Sequence, residues 1–448
     1  MGELSLDALN LDFNSIFLLS VTVLAFLIPV VIILPPVAPS KSDALLQTHS
    51  LAGLAPSKSN LKSQYTPKVH EARDDQKPKV QALMIYPIKS CKGIEVSKAR
   101  VLPQGLQFDR LFTFAQLKSQ FPAPVDGSTG DEKDRHSWAF ITQRQFARLA
   151  TVTVELWLPD EMKLRKQSMK TNEAFLILRF PWKERGWRGL VDTFAAKLTK
   201  GWRGEPEIEV LLPVDYPREE LIKARGYTYE DVTIWKDTVT AVNMGNEIPE
   251  QLRLYLGVSN KLGLFRIDPG NLRDVYKNAP KKEVIGWQPV AAFQDGYPLH
   301  IQNLASVQKF STEVPKDEDL KQLDILRFRP NIILSGAPVY DEDTWKKIRL
   351  ESGTSGLYHS VPLDISCRTV RCKLPNVDPV TGDRHPVQPD KSLRALRDVD
   401  PGAPKAGCLG VQACPLFEEG PAEDKEGWIG VGMEVQVEAR GEHVYQRS

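Results

Sequence analysis

From Val80 onward the chain is punctuated by short runs of β-branched, aromatic and aliphatic residues: VQALMIYPI, LFTFAQL, ATVTVELWL, AFLILRF, PEIEVLLPV and DVTIWKDTVTAVNM, then DILRFRPNIILSG, CRTVRCKL and GWIGVGMEVQVEA. Runs of this length, bounded by Gly, Pro, Asn and Asp, predict strands, and their number leaves little room for helices. Three helices are expected in between. PEQLRLYLG, Pro249–Gly257, opens on proline and closes on glycine around leucines at helical spacing, and Ile301–Ser311 and Lys391–Asp398 carry similar patterns. The fold class that follows is mainly β with some helices (α+β): a β-barrel-like N-terminal domain over 80–225, a β-barrel domain over 226–440, and a short tail at 441–448. FPAPVDGSTGDEKDRHS, Phe121–Ser137, reads as a polar surface loop.

Ahead of the strands lies IFLLSVTVLAFLIPVVIIL, Ile16–Leu34, without a charge between Asp12 and Lys41. As a helix it would rise about 28 Å, close to the roughly 30 Å hydrocarbon core. The residues before it are acidic and PPVAPS follows it, unlike a cleaved signal peptide, so one transmembrane anchor is expected at 16–34 after a tail at 1–15. The first positive charges follow the span, which would leave the N-terminus outside and the body in the cytosol. Residues 35–79, rich in Pro, Ser, Ala and Lys, read as a flexible linker.

The 448 residues hold 58 Lys and Arg against 57 Asp and Glu, so no basic field is present to hold nucleic acid. Five cysteines, Cys91, Cys367, Cys372, Cys408 and Cys414, are too few and too odd a set for a disulfide framework and suggest thiols in a reducing compartment. Cys372 ends a strand-like run and precedes the turn DPVTG, with Arg371 beside it and Arg368 nearby. Neighbouring cations favour a thiolate, and a thiolate is a ligand for a soft or high-valent metal. A buried inert thiol explains the same residues. A zinc site lacks the second half of its tetrahedral set. Lys89 and Ser90 in YPIKSCKG, Arg110 in GLQFDRLF and Arg329 in RFRPNIILSG stand at strand ends, where Lys, Ser and Arg suit a phosphate. Each alone is more often a solvated charge.

Together, IYPIKSCKG, FDR, FITQRQFARLATV, QDGYPLHIQNLAS, RFRPNIILSG with VYDEDTW, RCKLPNVDPVTGD, and CPLF with GWIGVGMEV resemble, in order, the motifs of the MOSC proteins. In that family an N-terminal MOSC β-barrel domain precedes the MOSC domain. The chain is most similar to its mitochondrial amidoxime-reducing members. The resemblance implies a membrane-anchored oxidoreductase that holds the molybdenum cofactor (Mo-molybdopterin). It would reduce N-hydroxylated substrates with electrons passed from NADH through cytochrome b5 reductase and cytochrome b5. It also implies placement on the outer mitochondrial membrane, although the endoplasmic reticulum fits the anchor as well.

Residue by residue, the resemblance makes Cys372 the molybdenum ligand and catalytic residue, and Lys89, Ser90, Arg110 and Arg329 the groups that hold pterin and phosphate. Asp295, Gly296 and Tyr297 fall in the loop before the cofactor-facing helix, and Val370 and Arg371 occupy the two positions before the ligand. Val370 replaces a residue that is usually polar, and the stretch after CPLF lacks the tyrosine of the animal enzymes. Two other functions fit a MOSC domain: sulfur transfer through a cysteine persulfide, and non-catalytic carriage of the cofactor. The first ordinarily comes with a pyridoxal-phosphate domain, for which residues 1–80 have no room.

Overall fold

The computed structural model describes residues 12–33, 40–119, 136–352, 359–417 and 425–446. Most of the loop expected at Phe121–Ser137 and of the tyrosine-free stretch after Phe417 lies outside the described residues, as do 1–11 and 34–39. Two compact units divide the chain: Met1–Ala44 with Pro181–Ile208, and Leu45–Phe180 with Glu209–Ser448.

The larger unit is built on two rings of strands. Five strands, Phe112–Ser119, His136–Phe140, Thr228–Ile234, Asp237–Asn243 and Leu262–Ile267, close a small barrel. Its interior is filled by Ala115, Trp138, Val232, Ile234, Val239 and Phe265, the alternate residues that a two-residue strand period turns inward. A larger ring runs through Lys79–Ile85, Ile332–Ser335, Leu299–Asn303, Cys408–Pro415, Val361–Val370, Trp345–Glu351 and Glu434–Arg440. Lys79–Ile85 pairs with Ile332–Ser335 on one side and meets Glu434 through Lys79 on the other, which closes the circle. The mainly β architecture with barrels and a few helices is thus observed, but each ring draws strands from both sides of residue 225. Position 225 itself lies just ahead of one small-barrel hairpin.

The helices of the larger unit are short. Glu250–Leu256 stops at Gly257, whose φ of 74° is open to glycine and costly for other residues. Leu304–Glu313 follows a barrel strand directly; Asn303 caps it by accepting from the Ala305 N–H at 3.2 Å. Leu304, Val307 and Phe310 on its inner face pack with Tyr86, Phe328 and Ile333 in the main core. Asp390–Leu396 is the third.

Residues 45–79 carry more structure than their composition suggests. His49–Leu51 pairs antiparallel with Thr153–Pro159, and Leu61 is buried in the main core. His70, also buried, bonds through Nδ1 to the Ser335 hydroxyl at 2.9 Å.

The N-terminal helix runs Phe13–Ile33. Among the described residues no helix is long and apolar enough to cross a membrane. This corrects the expected transmembrane helix at 16–34. The single-pass placement that rested on it, N-terminus out and body in the cytosol of an outer mitochondrial or endoplasmic reticulum membrane, is corrected with it.

Candidate functional site

The loop that leaves Lys79–Ile85 turns sharply, with Ser90 at φ 68°, and Arg110 (φ 50°) and Arg329 (φ 53°) also sit in the left-handed region. Non-glycine residues there store strain that the surrounding structure must hold, a condition that clusters at binding sites. The holding contacts are visible. The Arg110 N–H donates to the Tyr86 carbonyl at 2.7 Å, the Lys89 N–H to the Phe112 carbonyl at 2.8 Å, and the Tyr86 N–H to Asp109 Oδ1 at 2.8 Å. Arg329 ends the turn Ile325–Phe328 and precedes Pro330, which disfavours a right-handed helical backbone at the residue before it.

These turns gather four cations, two of them matched by carboxylates. Lys89, buried, donates through Nζ to the Phe293 carbonyl and to Asp295 Oδ1, both at 2.6 Å. Burial pulls its pKa down to about 8 against the opposing pull of Asp295. Arg110 donates to Asp109 Oδ2 at 2.6 Å, to Asn331 Oδ1 at 3.1 Å and to the Arg329 carbonyl at 3.2 Å. Burial works against its charge, but Asp109 outweighs it and the pKa rises.

Arg329 and Arg371 have no such match. Arg329 Nη1 donates to the Cys91 carbonyl at 2.8 Å, and Arg371 Nη2 to the Phe328 carbonyl at 3.0 Å. Arg329 Nη2 and Arg371 Nε are enclosed and, among the described residues, have no hydrogen-bond partner. Burial draws both guanidiniums down to about 10, so both remain charged near neutral pH. Arg329 and Arg110 lie over the buried Tyr86 ring, 4.1 and 4.7 Å from its centroid. The cluster therefore holds four cations against Asp109 and Asp295, and partly buried charge without a counter-ion is costly unless an anion joins it.

Cys372 follows Arg371, and the Leu374 N–H donates to its Sγ at 3.4 Å. All five cysteines are free; Cys372 alone is not buried. Burial pushes the Cys91, Cys367 and Cys408 thiols up to about 12, and Cys414 also upward. Cys372 thus sits in the most accessible setting of the five. Among the described residues no group of three or more His, Cys, Asp and Glu side chains could hold a metal by itself. Cys372 could give a metal one bond, with the remaining ligands coming from whatever carries that metal.

The other candidates separate. At Gly296 a side chain would meet nothing within 4 Å, so the backbone there faces open space. Tyr297 is buried in a small core cluster with Cys367 and Cys414, apart from the contacts that link the cations. Val370 ends its strand opposite Cys408. Sequence reasoning missed His300, Asp109 and Trp235. His300 is buried and accepts from Arg371 Nη1 at 3.4 Å; burial, then the Arg371 and Arg110 charges, hold it well below its ordinary pKa, hence neutral. Trp235, at a hairpin tip, donates to Asp295 Oδ1 at 3.1 Å. All three lie inside stretches quoted from the sequence, Asp109 in FDR, His300 in QDGYPLHIQNLAS and Trp235 in DVTIWKDTVTAVNM, but nothing local marks their contacts.

Residues 77–187 match the MOSC N-terminal beta barrel domain, and residues 288–436 match the MOSC domain. The chain belongs to the MOSC-domain proteins. Among curated relatives, mitochondrial amidoxime reducing component 2 of Rattus norvegicus is 24% identical over 79% of this chain and 81% of its own length. Mitochondrial amidoxime-reducing component 1 of Mus musculus and of Homo sapiens are each 24% identical, covering 80% of this MOSC protein and 82% of their own length. The cluster of Lys89, Arg110, Arg329, Arg371 and Cys372 draws on both matched segments.

Proposed function

We propose that this MOSC protein is an oxidoreductase that holds the molybdenum cofactor and reduces N-hydroxylated compounds of the amidoxime type. Electrons would come from NADH through cytochrome b5 reductase and cytochrome b5. The observation that carries the reading is the pair of guanidiniums, Arg329 and Arg371, each with an enclosed unpartnered nitrogen, beside the accessible Cys372. Those donors fit an anionic pterin phosphate, and a lone thiolate fits a metal already ligated by a dithiolene. The amidoxime-reducing relatives support the substrate class.

When bound, the cofactor supplies a metal centre able to exchange two electrons and take oxygen from an N–O bond. Cys372 Sγ would be its protein ligand. Arg329 and Arg371 would take the anionic groups, with Lys89, Ser90 and Arg110 completing the cradle. Gly296 leaves room beside Asp295, and neutral His300 accepts from Arg371 without adding a second positive charge. Asp109 keeps Arg110 aligned through its carboxylate.

Purified protein supplied with NADH, cytochrome b5 reductase and cytochrome b5 is expected to convert benzamidoxime to benzamidine, with molybdenum and pterin in equal amounts. Bound cofactor without turnover would overturn the reading in favour of a carrier. Cyanide-labile sulfur on Cys372 without molybdenum would overturn it in favour of sulfur transfer.

A further inference from the structure

The helix Trp187–Lys200 is turned inside out. Gly189, Ala195 and Ala196 are its buried residues, while Trp187 is 84% exposed, Phe194 66% and Leu198 70%, with Leu190 and Val191 exposed beside them. At about 100° per residue, positions 187, 190, 191, 194 and 198 fall within an arc of about 100°, a continuous apolar stripe. The inward face is made of small residues because the chain passes close to it. A side chain at Gly189 would come within 1.8 Å of the Glu184 carbonyl oxygen, and one at Gly204 within 2.4 Å of that of Ala196. The segment thus packs by its small face and leaves its large apolar face to solvent, the reverse of a helix that builds a core. Trp202, just past the helix, is 89% exposed.

Charge identifies what covers the stripe. Although the chain as a whole is balanced, Lys183, Arg185, Arg188, Lys197, Lys200 and Arg203 stand against only Glu184 and Asp192 between residues 183 and 203. On the helical projection Arg188 borders one edge of the stripe and Lys197 the other, and the Lys197 Nζ also lies 5.8 Å over the Trp202 ring. An apolar arc with an aromatic near each end and basic residues along both edges is the pattern of a helix lying in a lipid interface, where long basic side chains reach up to phosphates. All of the helix after its first residue lies between the MOSC matches, which end at 187 and resume at 288. The family's shared chemistry therefore gives no reason for it.

We propose that Lys183–Arg203 is a docking element for an anionic phospholipid surface, lying in the plane of that surface without crossing it. Trp187, Leu190, Phe194, Leu198 and Trp202 enter the acyl region, and Lys183, Arg185, Arg188, Lys197 and Arg203 pair with headgroup phosphates, while Lys200 is held by Glu207 at 2.6 Å. The inference is independent of the reductase reading.

The full chain is mixed with vesicles of phosphatidylcholine, alone or with phosphatidylglycerol, whose acyl chains carry bromine, and tryptophan emission is followed. Emission is expected to be quenched on the anionic vesicles and several-fold less on the neutral ones, with the quenching falling as salt rises. The double variant Trp187→Phe/Trp202→Phe is expected to lose most of that quenching while retaining its melting temperature. The N-terminal helix contains no tryptophan and so does not contribute to this signal. Arg188→Gln/Lys197→Gln/Arg203→Gln is expected to weaken anionic-vesicle binding several-fold. Equal quenching in the Trp variant, or none in the native chain, overturns the proposal. Self-association that Phe194→Glu abolishes, without quenching by lipid, overturns it in favour of a contact between copies.

Discussion

Arg329 and Arg371 in the cradle and Arg188 and Arg203 around the outward-facing helix carry the same guanidinium in opposite settings. The first two are partly buried, with enclosed nitrogens lacking partners; the second two are exposed. A fixed, desolvated cation interacts strongly and with one geometry, so it can select an individual anion, whereas a solvated cation adds a screened attraction to any anionic surface. Similar residues thus give a binding site in one place and an adhesive face in the other, and burial makes the difference.

The sharpest way to break the comparison is to unbalance the cradle from inside. Arg110→Met leaves the Asp109 carboxylate buried without its cation, and loss of one partner of a buried pair costs about 3–5 kcal/mol. Urea unfolding is expected to show that loss; a change below about 1 kcal/mol would mean that Asp109 does not depend on Arg110. Arg329→Asn comes next. Asn tolerates the left-handed backbone but removes a charge-assisted donor worth about 1.5–3 kcal/mol, roughly a tenfold or larger loss of pterin retention on dialysis. Unchanged retention would take Arg329 out of the site.

A pH series should produce a smaller effect. Lys89 has its pKa lowered to about 8, so its cation is present below that pH and lost as pH rises through it. Binding of an anionic pterin is then expected to weaken above about pH 8, by at most about tenfold per unit, and Lys89→Met should abolish that dependence. The same shift acts on folding with the opposite sign. Between about pH 8 and the ordinary lysine value the unfolded chain binds more protons, so this group's contribution to stability rises with pH. The smallest change belongs to the exposed side: Arg203→Gln should alter stability by no more than about 0.5 kcal/mol.

How much of this was legible follows from where the information sits. Strands and the helix Glu250–Leu256 were readable because alternation and a Pro-to-Gly frame are local. Barrel membership was not, because strand partners are chosen at long range: Leu83 pairs with Ile332, and Lys79 with Glu434. Composition suggested a linker at 35–79, yet Leu61 and His70 are docked by a few specific contacts that an average over polar residues conceals. The transmembrane expectation rests on an apolar run alone, whereas among the described residues no helix is long and apolar enough to cross a membrane. In the site, the motifs quoted from sequence hold Cys372, Lys89, Arg110 and Arg329. The acceptor for Arg371 is brought by the fold from 71 residues away, His300, whereas the counter-charge on Arg110 is its chain neighbour Asp109, whose role shows only in the ion pair it makes.

The most direct measurement is molybdenum content per chain in Cys372→Ser against Cys367→Ser, both purified as folded protein. Cys367 is buried in the cluster with Tyr297 and Cys414, its thiol pushed up to about 12, whereas Cys372 is the accessible sulfur beside Arg371. The expected result is near-native molybdenum and amidoxime reduction in Cys367→Ser, with loss of both in Cys372→Ser, whose hydroxyl stays protonated and makes a poor metal ligand. Native metal content and turnover in Cys372→Ser would contradict the assignment of this pocket as a cofactor site.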